Sequence, residues 1–132
     1  MTNSIKFFLI ALPVFLALDF IWIGLISANF YKTALASLAR SSGVNFVAAA
    51  IAYFLIVFGL SVFVYPLVSG TDVSLVKVFL YGAIFGIVVY GVYDFTNLAT
   101  LRDWTWQLSF HDMLWGGTVC GLVTMISIRI ML

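Results

Sequence analysis

Phe7 to Ser27 reads FFLIALPVFLALDFIWIGLIS, an apolar run of about 20 residues that carries a single charge, Asp19. A helix of roughly 20 residues spans the ~30 Å hydrocarbon core of a bilayer. Three more such runs follow, at about Phe46 to Tyr65, Leu75 to Tyr93 and Phe110 to Ile130. They are too long for strands and too few to close a barrel. Helices satisfy their own backbone polar groups in lipid, so helices are expected. The expected fold is an all-α integral membrane protein, a four-transmembrane-helix bundle forming one domain over residues 1–132. Lys6 followed by an apolar run has the outline of a signal peptide. The length of the run, the aspartate inside it and the lack of an A-x-A site favour an uncleaved first span.

Composition agrees. The chain is 64% hydrophobic and 8% charged, more apolar surface than a soluble domain of 132 residues could hide. The net charge is +1, with no basic patch, so nucleic acid is not an expected partner and membrane lipid is. Cys120 is the only cysteine and lies mid-span, where it reads as a small packing residue. Basic residues do not settle orientation: Lys6, Lys77 and Arg129 fall on one side, and Lys32, Arg40 and Arg102 on the other.

The connections differ in character. Asn29 to Asn45 is the longest. Asn29 suits an N-cap, and Tyr31, Leu35 and Leu38 recur at helical spacing with Lys32 and Arg40 among them. A short amphipathic helix at the interface is expected there, ended by Ser41-Ser42-Gly43. Pro66 and Gly70 close span two, and Pro13 is expected to kink span one. Thr96 to Gln107 reads as a polar, aromatic loop between spans three and four, with Trp104 and Trp106 in an interfacial belt. Gly82-x-x-x-Gly86 and Gly117-x-x-x-Gly121 let helix backbones approach closely, either within the chain or across a homodimer.

An ionisable group inside a membrane span is costly and marks a functional site by default. Asp19 lies just past the middle of span one, Asp94 at the far end of span three, and Asp112 near the start of span four. All three fall in the half of the bilayer away from the termini. Gly82, Gly86, Tyr90, Asp94 and Asn97 form one helical stripe, which turns Asp94 into the bundle. Asp112, Gly116 and Cys120 form an equivalent stripe in span four. Asp19-x-x-Trp22-x-Gly24 and Asp112-x-x-Trp115-x-Gly117 repeat one pattern on antiparallel helices, which points to pairing of spans one and four and to an inverted repeat.

Acidic groups gathered in a low dielectric must take up a cation, a proton or a basic partner, and Arg102 and His111 are the internal candidates. The candidate ligand-binding residues are Asp19, Trp22, Asn29, Tyr31, Tyr90, Tyr93, Asp94, Thr96, Asn97, Thr100, Trp104, His111, Asp112 and Trp115. One reading is a site that binds, and as a carrier translocates, a small polar or cationic ligand or protons. A carrier needs a polar path toward the termini side, and the middles of spans two and three are almost wholly apolar. A second reading is an interfacial enzyme or lipid-binding protein acting at headgroup depth. Asp94, Asn97, His111 and Asp112 are then candidate ligands for a divalent metal. A third reading is an internal polar network that only fixes helix packing. The cofactor is not specified. Haem and retinal are not expected, because no pair of intramembrane histidines and no mid-membrane lysine is present. Trp22 and Trp115, beside two of the aspartates, read as packing groups or as a stacking wall for a cationic ligand.

Tyr93-Asp94-Phe95-Thr96-Asn97-Leu98-Ala99-Thr100, followed by Trp104, resembles a segment of the bacterial membrane proteins grouped as domain of unknown function 2177. Members carry Y-D-x-T-N-x-A-T at the end of the third span, an early D-x-x-W-x-G, an N-x-Y and a D-x-x-W-G. Asp19, Trp22 and Gly24, Asn29 and Tyr31, and Asp112, Trp115 and Gly116 match these. The resemblance covers essentially the whole chain. It implies four membrane helices in a bacterial cytoplasmic membrane and emphasises the same polar residues. It carries no assigned activity or cofactor.

Overall fold

In the computed structural model, which describes residues 2–132, helices are the only regular elements and no strand is present among the described residues. Helix α1 (Asn3–Ile21) continues through a widened turn, Trp22–Ile26, to complete span one. Helix α2 (Ala28–Ala34) follows. Span two is α3 (Phe46–Gly59), a second widened turn at Leu60–Val64, and α4 (Tyr65–Val68). Spans three and four are α5 (Leu75–Thr100) and α6 (Trp106–Met131). All four spans are long and apolar enough to cross a membrane.

Capping side chains start each span. Thr2, Asn45, Ser74 and Thr105 accept from the backbone N–H three residues on, meeting donors that the helix leaves free. Both widened turns close with a bond from residue i+5: Ser27 N–H to the Trp22 carbonyl, and Tyr65 N–H to the Leu60 carbonyl. Such turns recur at functional sites, and the first carries Trp22.

Three bounds differ from the sequence reading. Span three runs two turns beyond Tyr93, so Thr96, Asn97 and Thr100 are helical rather than part of a loop. Their polarity was misleading: the Thr100 hydroxyl donates to the Thr96 carbonyl (2.9 Å) and leaves the backbone ladder intact. Span four begins at Trp106, four residues before Phe110. The interfacial helix is only seven residues long. Ser27 occupies its cap position, while Asn29 is already inside it and exposed. The widened turn at the end of span one starts this helix early. Beyond Ala34 the chain proceeds in turns, with Leu35 and Leu38 packed on Tyr31, Trp104 and Leu108.

Spans three and four form the closest pair. A Cβ on Gly86 would strike the Gly116 carbonyl, and one on Gly116 would strike the Tyr90 ring. Gly82 faces Thr124 and the Cys120 carbonyl in the same way, and Gly121 faces Phe79. Both glycine stripes are therefore covered within one chain. Span one packs antiparallel along span four. On the termini side the bundle is filled by Phe7, Phe15, Val57, Leu60, Val119 and Val123, all fully buried. Span two packs on span three chiefly through its second half. From Phe46 to Ile56 it buries no residue and parts from span three.

Candidate functional site

The two D-x-x-W-x-G segments meet across the bundle and serve each other. Trp115 Nε1 donates to Asp19 Oδ1 (2.8 Å), and Tyr53 of span two donates its hydroxyl to Asp19 Oδ2. Trp22 stacks flat on Trp115, with ring centroids 4.6 Å apart and 9° between the planes. Its Nε1 donates to the Tyr31 hydroxyl (3.4 Å), which in turn donates to Asp112 Oδ1 (2.9 Å). Each aspartate thus draws on the tryptophan of the other segment, directly at Asp19 and through Tyr31 at Asp112. Tyr31 lies outside the spans. Burial, and then the Asp112 carboxylate beside it, push its phenol well above the ordinary tyrosine range, so it stays a donor.

Asp94 is fully buried, and neither carboxyl oxygen has a hydrogen-bond donor. Asp112 is its acidic neighbour. The backbone at Asp94 is braced: Ser109 donates to its carbonyl (3.2 Å), and Trp104 Nε1 donates to Ser109 (3.0 Å). Tyr93 lies beside Asn97, one turn on.

His111 is held between aromatic rings. Phe30 stacks on it at 3.9 Å and Trp22 at 5.4 Å, and its Nε2 is buried without a partner. Trp115, Trp22, His111 and Phe30 form a run of stacked rings.

A cleft of about 430 Å³ opens between the separated parts of spans two and three. Ala52, Leu55 and Ile56 form one wall, Val89 and Tyr90 the other, and Asp19 and Asp112 the floor. Tyr53 and Tyr93 also reach it, and its lining includes no Lys, Arg or His among the described residues. Asp112 is half-buried and open to this space. Asp19 is 3% exposed, its two oxygens already occupied.

The structure brings together Asp19, Trp22, Tyr31, Tyr90, Tyr93, Asp94, His111, Asp112 and Trp115, with Trp104 as a brace. It leaves out Asn29, Thr96 and Thr100, which are exposed. Arg102 is exposed in a separate groove with Asp103, Thr33 and Gln107 and does not serve the acids. Among the described residues no three His, Cys, Asp or Glu side chains are placed to hold an ion. Two residues of the polar cluster are not singled out by the sequence, Tyr53 and Ser109. Tyr53 could have been found as the one phenol in the first half of an apolar span, since a buried tyrosine hydroxyl seeks a partner.

No curated protein and no solved structure matches the chain. A family profile described as a predicted membrane protein, DUF2177, matches residues 4–129. That match takes in all the polar residues of the cluster, and the chain belongs to this family of membrane proteins.

Proposed function

We propose that the cleft binds an amphiphile with a cationic head group, taken from the lipid between spans two and three. The observation that carries this reading is an apolar-walled cleft whose floor presents carboxyl groups with no basic partner. Apolar walls suit a hydrocarbon chain. An open carboxylate in a low dielectric needs positive charge or a donor to offset its desolvation. Tyr53, Tyr90 and Tyr93 add ring faces that attract a cation. Binding without translocation is favoured because the termini side of the cluster is packed with buried apolar residues.

The test is a titration of the protein in zwitterionic nanodiscs, read by intrinsic tryptophan fluorescence with Trp104 and Trp106 replaced by Phe. Dodecyltrimethylammonium, dodecanol and dodecyl sulfate are the probes. A saturable response to the ammonium alone, lost in Asp112→Asn, is expected. Equal responses to all three probes, or none, would overturn the reading. In proteoliposomes the ammonium should show no flux above that of empty vesicles.

A further inference from the structure

A second depression lies apart from the cleft and shares no lining residue with it. It has a volume of about 790 Å³ and lies between the α2 segment and the turn that joins α5 to α6. Thr33, Ser37, Arg102, Asp103, Thr105 and Gln107 line it, all of them exposed. Its charge is balanced: one guanidinium and one carboxylate, from consecutive residues, stand among three hydroxyls and an amide. We infer that this groove seats the head group of a zwitterionic phospholipid, with the phosphodiester on Arg102 and a primary ammonium on Asp103.

Depth places the groove in the bilayer. Helices α5 and α6 have 26 residues each. That is roughly 39 Å of helix against a hydrocarbon core of ~30 Å, so their ends stand in the head-group layer. Arg102 and Asp103 lie between those ends, and Trp106, exposed at the first position of α6, suits the same layer. The groove is also continuous with lipid-facing surface. Gln107, Phe110 and Leu114 step by three and four along one face of α6, and all three are exposed. A head group in the groove has its acyl chain laid along this stripe, which a water-soluble phosphate would leave unused. Charge then sets the choice of head group. Guanidinium N–H groups match phosphate oxygens, and a carboxylate accepts from an ammonium that carries N–H donors. The Thr105 hydroxyl accepts from the Leu108 N–H and keeps its own proton for a further phosphate oxygen. A phosphoglycerol head brings an anion and nothing for Asp103, which repels it. A phosphocholine head brings a cation without N–H donors.

The test is native mass spectrometry of the full protein after exposure in detergent to equimolar phosphatidylethanolamine, phosphatidylglycerol and phosphatidylcholine with identical chains. The first lipid retained should be phosphatidylethanolamine, by at least about threefold over either of the others. Arg102→Gln should lower that retention by a similar factor. Asp103→Asn should bring phosphatidylglycerol level with phosphatidylethanolamine. Arg40→Gln removes a charge on the same side of the membrane but outside the groove and should change nothing. All three residues are exposed, so none of these substitutions opens the core. An absence of preference in the wild type, unchanged retention in Arg102→Gln or an unchanged lipid ratio in Asp103→Asn overturns the inference. So does a loss in Arg40→Gln equal to that in Arg102→Gln. Glycerophosphoethanolamine, the same head without chains, should fail to displace the lipid at millimolar concentration, and displacement would overturn the assignment to a lipid. Each of these outcomes is independent of what binds in the cleft.

Discussion

Asp19 ties three spans together, because spans one, two and four all meet on its two oxygens. Asp19→Ala leaves the Tyr53 hydroxyl and the Trp115 indole N–H without an acceptor. Orphaned buried donors cost about 1–3 kcal/mol each, so a sharp fall in thermal stability in detergent is expected. Tyr53→Phe leaves Asp19 Oδ2 without its donor and should cost about 1–3 kcal/mol. A second prediction concerns alkaline pH. The Tyr31 phenol is pushed up in the folded protein by burial and by Asp112, whereas an unfolded tyrosine titrates near about pH 10. Its contribution to stability is therefore complete below about pH 10 and is lost as pH rises beyond it. Denaturation measured at neutral and strongly alkaline pH should show this loss, and Tyr31→Phe should lessen it. At this scale the sequence disclosed the acids and the tryptophans, because charge and indole are conspicuous in an apolar run. Tyr53 was hidden because one hydroxyl in an apolar span does not show what it touches.

At the scale of elements, the glycines decide how spans three and four pair. Gly86→Ala drives a methyl group into the Gly116 carbonyl, a backbone atom that cannot step aside. Overpacking of this kind costs about 1–3 kcal/mol, to be read as a lower unfolding temperature in detergent. Gly91→Ala is the control. Its new methyl would meet only the Met113 side chain, which is flexible, and alanine favours a helix over glycine by about 1 kcal/mol, so stability should hold or rise. The existence of every span was legible, since length and hydropathy alone require it. The ends of spans three and four were not. Helices continue past the hydrocarbon, and Thr96, Asn97 and Thr100 can be polar without breaking one. The short helix was overextended because apolar spacing at Leu35 and Leu38 also suits turns packed on Trp104 and Leu108.

For the molecule as a whole, the decisive feature is that span two leans away from span three in the half that holds the acids. No periodicity in either span announces this, because both walls are apolar whether they meet protein or lipid. The pairing of spans one and four was foreshadowed by the repeated aspartate–tryptophan pattern, but the exchange of partners between the two copies appears only in three dimensions. Ala52 is exposed at the cleft wall. Ala52→Trp should fill the opening and weaken binding of dodecyltrimethylammonium at least tenfold, with the unfolding temperature unchanged. Binding that survives the substitution would place the probe elsewhere.

An opening that faces sideways has a consequence for how occupancy is counted. Whatever enters between spans two and three arrives already dissolved in the bilayer, so the relevant concentration is molecules per lipid rather than molecules per litre. Doubling the lipid at a fixed amount of ligand should roughly halve the filling of a dilute site, while diluting the water around the same vesicles should scarcely matter for a strongly partitioning amphiphile. The search for the site becomes two-dimensional, and the membrane itself serves as the reservoir.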